Sequence, residues 1–185
     1  KQTDPKTAQY ILSQYGGPDG EINASLRYLS QRYSIPYREV AGLLTDIATE
    51  EIAHFEMIAT IVHQLTRDLT PEEIKASNFG PYYIDHTLAV WPQAAGGVPQ
   101  NACEFQSKGD PITDLMEDMA AEQKARTTYD NILRVVKDPD VVDPIRFLRE
   151  REIVHFQRFG EALRIVQDEL DFKNFYAFNP SMDQC

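Results

Sequence analysis

The sequence predicts an all-α protein, a bundle of four helices in two pairs with a long crossover between the second and the third. Three observations predict it. Apolar residues recur at helical spacing over four separate stretches. Compact breaker clusters punctuate the chain, but the middle connection, 68–110, runs for 43 residues. A matching set of acidic and imidazole side chains stands once in each half. The length of 185 residues suits one domain with a single core, so 1–185 is read as one unit.

The first helix starts near Gly20, after the breaker cluster Gly16, Gly17, Pro18, Asp19 and Gly20, and carries Ile22, Leu26 and Leu29 at helical spacing. Pro36 stops it. The second begins around 36–38 and runs to about Arg67, with Val40, Leu43, Leu44, Ile47, Ile58, Ile61, Val62 and Leu65 tracing a wide apolar face. In the crossover, Thr70, Pro71, Glu72 and Glu73 read as the start of one short helix and the rest as irregular. A connection of that length either crosses the bundle or wraps a neighbouring subunit, a use to which Tyr82, Tyr83, Trp91 and Phe105 are suited.

Pro111 suits the first turn of the third helix, which reaches about Val136 with the stripe Leu115, Met119, Tyr129, Ile132, Leu133 and Val136. The segment DPDVVDP is read as a break. The fourth helix follows from about Pro144 to Leu170, carrying Ile145, Leu148, Phe159, Leu163 and Val166. Two helix pairs joined by one long crossover form the ferritin-like version of a four-helix bundle.

With 29 acidic against 18 basic residues the chain carries a formal charge of −11, which repels phosphate backbones and anionic membrane surfaces. Nucleic acid and membrane are therefore excluded as expected partners. No stretch approaches the ~20 apolar residues of a membrane span, and the opening KQTDPKTAQY lacks a signal-peptide core, so export by a signal peptide is not expected. Cys103 and Cys185 are far apart and form neither a disulfide framework nor a CxxC site.

The chemistry is carried by a repeated spacing. Glu21 precedes Glu51-Ile-Ala-His54 by 30 residues, and Glu122 precedes Glu152-Ile-Val-His155 by 30 residues. Glu and His three apart share a helix face, about 5–6 Å apart at Cβ, and reach one point in the bundle centre. Carboxylate and imidazole suit manganese, iron or zinc, and a pair of ions needs the bridging anions that carboxylates supply. One Glu from each of two helices plus Glu-x-x-His from each of the other two is the pattern of di-iron and di-manganese carboxylate bundles. Six ionisable groups buried without metal would cost several kcal/mol apiece, beside apolar Leu26, Ile47, Leu115, Leu148 and Phe159.

Tyr28 and Tyr129 each follow the lone Glu of their half by seven residues, two helical turns, and their hydroxyls are placed to reach ligand carboxylates or simply to fill core. His63 and His86 have no partner at ligand spacing and read as surface or packing residues. Glu50, Glu56 and Glu117 read as solvated-face or outer-shell acids, and Arg126, Arg149, Arg151 and Arg158 as exposed ion-pair partners or as neutralisers of spare carboxylates.

The segments GEINASLRYLSQRY, TEEIAHFEMI and REREIVHFQRFGEALRIVQ resemble the manganese catalases. QYGGPDGE, GLLTDIATEEIAH, FQSKGDPITDL and AAEQKARTTYDNIL resemble the spore-coat branch of that family, the CotJC proteins, and the resemblance covers nearly the whole chain. It implies a dinuclear manganese centre, with iron as the other ion the same donors accept, that disproportionates hydrogen peroxide. Carried over by position, Glu21 and His54 would bind one ion, Glu122 and His155 the other, and Glu51 would bridge them. Glu152 would stand beside the ions as the proton-transfer group, and Tyr28 would hydrogen-bond the carboxylates.

The resemblance further implies a homo-oligomer, a hexamer in larger relatives, and a place in the spore coat or cytoplasm of a spore-forming bacterium, with other coat proteins as partners. Two alternatives stand beside the enzyme: a structural coat-assembly protein with a retained metal site, and a di-iron ferroxidase. The sequence departs from characterised catalases in placing Ala121, not a basic residue, before Glu122, and in lacking a long carboxy-terminal extension. Its aromatic tail FKNFYAFNP would pack on its own bundle or a neighbour. Family members also begin with a short segment before Lys1, so further residues are expected there.

Overall fold

The computed structural model describes residues 2–104, 106–170 and 178–183. Its helices are α1 (Pro5–Gly16), α2 (Glu21–Gln31), α3 (Arg38–Thr66), α4 (Pro71–Ala76), α5 (Phe79–His86), α6 (Pro111–Val135) and α7 (Pro139–Glu169), with one 3₁₀ turn at Ala102–Glu104. Four long rods make the bundle. Three are α3, α6 and α7, and the fourth is broken into α1 and α2. The Asp4 amide donates to the Leu65 carbonyl at 3.0 Å, Tyr15 stacks on Phe55 at 4.5 Å, and the Ser25 hydroxyl donates to the Ala48 carbonyl at 2.8 Å. The two pieces thus run antiparallel to α3 along its length.

The sequence reading missed α1. Asp4 caps it by accepting from the Thr7 amide, Pro5 occupies its first turn, and Ala8, Ile11, Leu12 and Tyr15 bury one face. The breaker cluster that follows is a bend inside a rod rather than the entry to the bundle. Gly16 is required there because a Cβ would stand 2.2 Å from the Gln93 backbone nitrogen, where the crossover lies against the rod.

The segment DPDVVDP does not break the chain as expected; it forms the first turns of α7. Asp138 caps the helix by accepting from the Asp140 amide, Pro139 needs no donor in the first turn, and Pro144 falls one turn further in, where only one ladder bond is lost. The crossover is also more helical than expected, since α5 lies between the short helix that was foreseen and the remaining coil.

The crossover travels the length of the bundle over the broken rod, the first of the two routes its length allowed. It is held by apolar packing, with Phe79 and Tyr82 buried in the core beside Ile11 and Leu12, and by hydrogen bonds: Gln9 Nε2 donates to the Ala95 carbonyl at 3.1 Å, the Ala95 amide to Ser13 Oγ at 3.3 Å, and Gln100 Nε2 to Asn23 Oδ1 at 2.7 Å. His86 packs on Trp91 with ring centroids 4.3 Å apart, and His63 is exposed, as expected of residues outside the site. No helix among the described residues is long and apolar enough to cross a membrane. The tail segment lies mostly outside the described residues, as do Phe105 and Cys185; Cys103 is an exposed free thiol.

The core falls into two apolar clusters. One joins Ile11, Leu12, Ile58, Val62, Tyr129, Ile132, Ile145 and Leu148; the other joins Tyr28, Leu44, Ile47, Leu115, Phe159 and Val166. Between them lies a layer of buried carboxylates and imidazoles. Burial of this much apolar surface drives folding at about 25 cal/mol per Å², which lets the bundle tolerate a costly polar layer at its centre.

Candidate metal centre

All six members of the repeated Glu/His set meet in that layer. Glu21 comes from the first turn of α2, Glu51 and His54 from mid-α3, Glu122 from mid-α6, and Glu152 and His155 from mid-α7. Each is buried. The bend at 17–20 has a direct consequence here. It starts a new helix at Glu21, so a carboxylate sits at a helix N-terminus, where the dipole favours it.

Glu51 is central. Its Oε2 lies 2.7 Å from His54 Nδ1 and its Oε1 lies 2.6 Å from His155 Nδ1. Glu21 Oε2 is 3.7 Å from His54 Nδ1, and Glu122 Oε2 is 3.5 Å from His155 Nδ1. Two lobes result: Glu21 with His54, and Glu122 with His155, joined by the two oxygens of one carboxylate. The imidazoles lie nearly parallel, 5.6 Å apart at their centroids.

Ligand atoms of Glu51, His54, Glu152 and His155 fall within 4.8 Å of one another, which brings Glu152 as close to the cluster as the ligands expected from the sequence. The fit to cations is seen in atoms without hydrogen bonds. Glu51 Oε1, Glu122 Oε2, Glu152 Oε1 and His155 Nδ1 are buried with no hydrogen-bond partner among the described residues. Glu51 Oε1 and His155 Nδ1 are close but out of hydrogen-bond alignment, as lone pairs converging on a shared point would be.

The electrostatics without metal follow from the crowding. Burial and the neighbouring Glu51 raise Glu21 to about 8. Burial also raises Glu122, and it holds Glu152, beside Glu21, Glu122 and Glu51, well above the usual carboxylate range. For Glu51 burial acts in the same sense but is outweighed by His155 and His54, which hold it well below that range. Burial would lower both imidazoles, yet Glu21 and Glu51 raise His54 to about 10, and Glu122 and Glu51 raise His155 to about 11. Two imidazolium protons thus occupy the place of positive charge that metal ions would take, and metal binding would displace them.

Tyr28 and Tyr129 cross between the halves. Each lies two turns after the lone Glu of its own half but donates to the other: Tyr28 OH to Glu122 Oε1 at 2.5 Å, and Tyr129 OH to Glu21 Oε1. Tyr28 is braced edge-on by Phe159 at 4.8 Å. Ala121 is buried, so no basic side chain enters the layer at that position.

Glu50, expected among the solvated acids, belongs to the site instead. Its Oε1 is 3.4 Å from His54 Nε2 and its Oε2 is 3.2 Å from His155 Nε2, ion-pair distances outside hydrogen-bond alignment, so one carboxylate faces the outer nitrogen of both imidazoles. Arg151 grips it through two contacts of 2.6 and 3.1 Å. Of the four arginines singled out, Arg151 alone reaches the site. Arg126 and Arg149 pair with Asp130, and Arg158 pairs with Asp46. Glu56 is exposed, and Glu117 pairs with Lys124 at 3.1 Å. Leu26, expected beside the site, is exposed instead.

The family model described as manganese containing catalase matches residues 1–175. The chain belongs to the manganese catalase family. Its sequence is 54% identical to protein CotJC of Bacillus subtilis over 173 residues, covering 94% of this chain and 91% of that protein. It is 30% identical to a probable manganese catalase of Clostridium acetobutylicum, over 95% of this chain and 78% of the relative. Among solved structures the fold is similar to KatB, a manganese catalase from Anabaena, with a TM-score of 0.84 at 29% identity, over 93% of this chain and 77% of that one.

Proposed function

We propose that this protein is a dinuclear manganese catalase, converting two molecules of hydrogen peroxide into two of water and one of oxygen. The observation that carries this reading is Glu51, whose two oxygens each face one Glu/His lobe. Glu21 and His54 would hold one ion, Glu122 and His155 the other, and Glu51 would bridge them. The ion pair would supply one-electron changes at two centres, so that the two electrons of peroxide are taken up and returned without radicals.

The remaining work falls to the chain. Glu50, facing both Nε2 atoms, would favour a proton on each of them and leave the Nδ1 lone pairs free to hold the ions. Tyr28 and Tyr129 hold one oxygen of Glu122 and one of Glu21 in place. Glu152, kept protonated by burial beside other carboxylates, holds a proton that it can give to a departing oxygen and recover from the next peroxide. The apolar clusters on either side keep bulk water from the layer.

The 54% identity to CotJC supports a second role, association with the spore coat, which is compatible with the first. Exposed Ile52, Met116 and Phe147 on three of the bundle helices suit contact with further copies of the chain or with coat partners. The same donors would accept iron, so the di-iron ferroxidase reading is tested by the same experiment. Oxygen release from peroxide by manganese-loaded protein, followed with an oxygen electrode, is the expected outcome; no release from protein with two bound ions per chain would overturn the catalase reading.

A further inference from the structure

Outside the carboxylate layer, between α2 and α6, lies a second buried polar group that takes no part in the Glu/His set. Arg27 and Gln31 stand one turn apart on α2, and Asp118 faces them from α6, one turn before Glu122. All three are buried to within 2% of full enclosure. Arg27 Nη2 donates to the Pro18 carbonyl at 3.1 Å and lies 3.6 Å from Asp19. Among the described residues no partner meets Arg27 Nε and Nη1, Gln31 Nε2 and Oε1, or Asp118 Oδ1 and Oδ2.

Six buried polar atoms in three neighbouring side chains is not how a packed interior ends by default, because buried polar atoms nearly always find partners. Nor are these groups unrelated. Burial raises the Asp118 carboxylate well above the ordinary range, and the approach of the Gln31 amide and the Arg27 charge lower it, yet none of the six atoms has a partner in full hydrogen-bond geometry. The donors are a guanidinium and an amide; the acceptors are a carboxylate and an amide oxygen. A metal cation is disfavoured by Arg27, and a free anion by Asp118. A small neutral molecule that both donates and accepts satisfies all three.

We propose that Arg27, Gln31 and Asp118 form a binding chamber for small neutral hydrogen-bonding molecules of the water and hydrogen peroxide class, set against the Tyr28–Glu122 edge of the metal layer. Its position supports a supply role. Arg27 precedes Tyr28 on α2 and Asp118 lies one turn before Glu122 on α6, so both border the hydrogen bond from Tyr28 to Glu122. On the outer side Arg27 meets Asp19, which pairs with the half-exposed Lys124 at 3.0 Å, so polar groups continue to the surface. A molecule held here would stand between solvent and the lobe formed by Glu122 and His155. The peroxide occupant rests on the proposed catalase function; the water occupant does not.

The test has two arms. A crystal structure of the metal-free protein should show ordered solvent bridging Arg27 Nε or Nη1 to Asp118, with Gln31 as a further partner. Direct closure of Asp118 on Arg27, or a dry gap, would overturn the chamber whatever the protein catalyses. For the second arm, Asp118→Leu fills the space with an apolar side chain and Asp118→Asn keeps its shape and hydrogen bonding. In manganese-loaded protein, peroxide staging predicts that Asp118→Leu raises KM by about tenfold with kcat little changed, while Asp118→Asn stays within about threefold. Both variants leave the Arg27 guanidinium buried without the Asp118 carboxylate, so a lower Tm is expected in each, and KM is compared only in variants whose circular dichroism matches the parent. An unchanged KM in a folded Asp118→Leu variant whose crystal lacks the bridging solvent assigns the chamber to water and overturns the peroxide occupant. If the parent releases no oxygen, the catalase reading fails while the crystallographic arm still decides the chamber.

Discussion

Replacing Glu51 by glutamine preserves the shape of the central side chain and removes its charge, which isolates what that carboxylate does. In the metal-free protein it faces His54 Nδ1 at 2.7 Å and His155 Nδ1 at 2.6 Å. A glutamine oxygen can accept from one imidazole, but its NH₂ group faces the other with a donor against a donor. One imidazole must then give up its Nδ1 proton, and one charge-assisted contact of roughly 1.5–3 kcal/mol is lost. For a domain of this size that lowers the metal-free Tm by about 3–12 °C. The metal-bound consequence is sharper, because an amide nitrogen has no lone pair for a second cation and cannot bridge. Glu51→Gln should retain at most one firmly bound manganese per chain after dialysis and lose oxygen release to the background rate. Metal analysis and the oxygen electrode check both points. Two retained ions with parental turnover would refute the bridging role.

Tyr28→Phe should weaken the Glu122–His155 site and Tyr129→Phe the Glu21–His54 site, each by about 10–100-fold in manganese affinity by titration calorimetry, since each removes the hydroxyl that orients one ligand. Glu50→Gln should lower metal affinity within the same roughly 10–100-fold range, and its recovery in Glu50→Asp would argue against the proposed reach to both Nε2 atoms. The pH dependence has a definite sign in the metal-free protein. Glu21 stays protonated to about pH 8 in the fold while its unfolded form ionises near 4.5, so rising pH favours unfolding across that window. His54 and His155, raised to about 10 and about 11 from 6.5, contribute stability that is full below pH 6.5 and lost as pH rises through those values. The metal-free Tm should therefore fall as pH increases from about 7 to 10, and manganese uptake at pH 8 should release protons; a flat Tm profile would count against imidazolium pairing. Gly16→Ala should destabilise by about 2 kcal/mol or more, read by urea unfolding, because its Cβ meets the Gln93 backbone at 2.2 Å.

The metal layer was legible because its residue types are unusual inside apolar stripes and because their spacing repeats. Glu51-Ile-Ala-His54 and Glu152-Ile-Val-His155 set a helix face without reference to any partner. Glu50 was not legible in the same way. It lies one residue, about 100° of helix rotation, away from Glu51, and its relation to His155 exists only once α3 and α7 are packed. The same holds for the crossing of Tyr28 and Tyr129, where the seven-residue spacing pointed to the carboxylates but not to the opposite half.

Helix α1 carried a readable signal in Asp4, Pro5 and the period of Ala8, Ile11, Leu12 and Tyr15. The dense breaker cluster after it outweighed that signal, because a bend within a rod and a boundary between helices have the same composition. Pro144 misled for a related reason: a proline one turn into a capped helix costs one bond, whereas the same residue deeper inside would end the helix. Arg27, Gln31 and Asp118 look like surface residues on two amphipathic helices, and only the packing of α2 on α6 reveals that they are enclosed.

Two ions sharing Glu51 would flank its carboxylate. Anomalous diffraction at the manganese edge from crystals of the manganese-loaded protein tests this arrangement most directly. Two peaks of similar height are expected on either side of the Glu51 carboxylate, one beside Glu21 and His54 and the other beside Glu122 and His155; a single peak, or density away from Glu51, would mean that no pair of ions shares it.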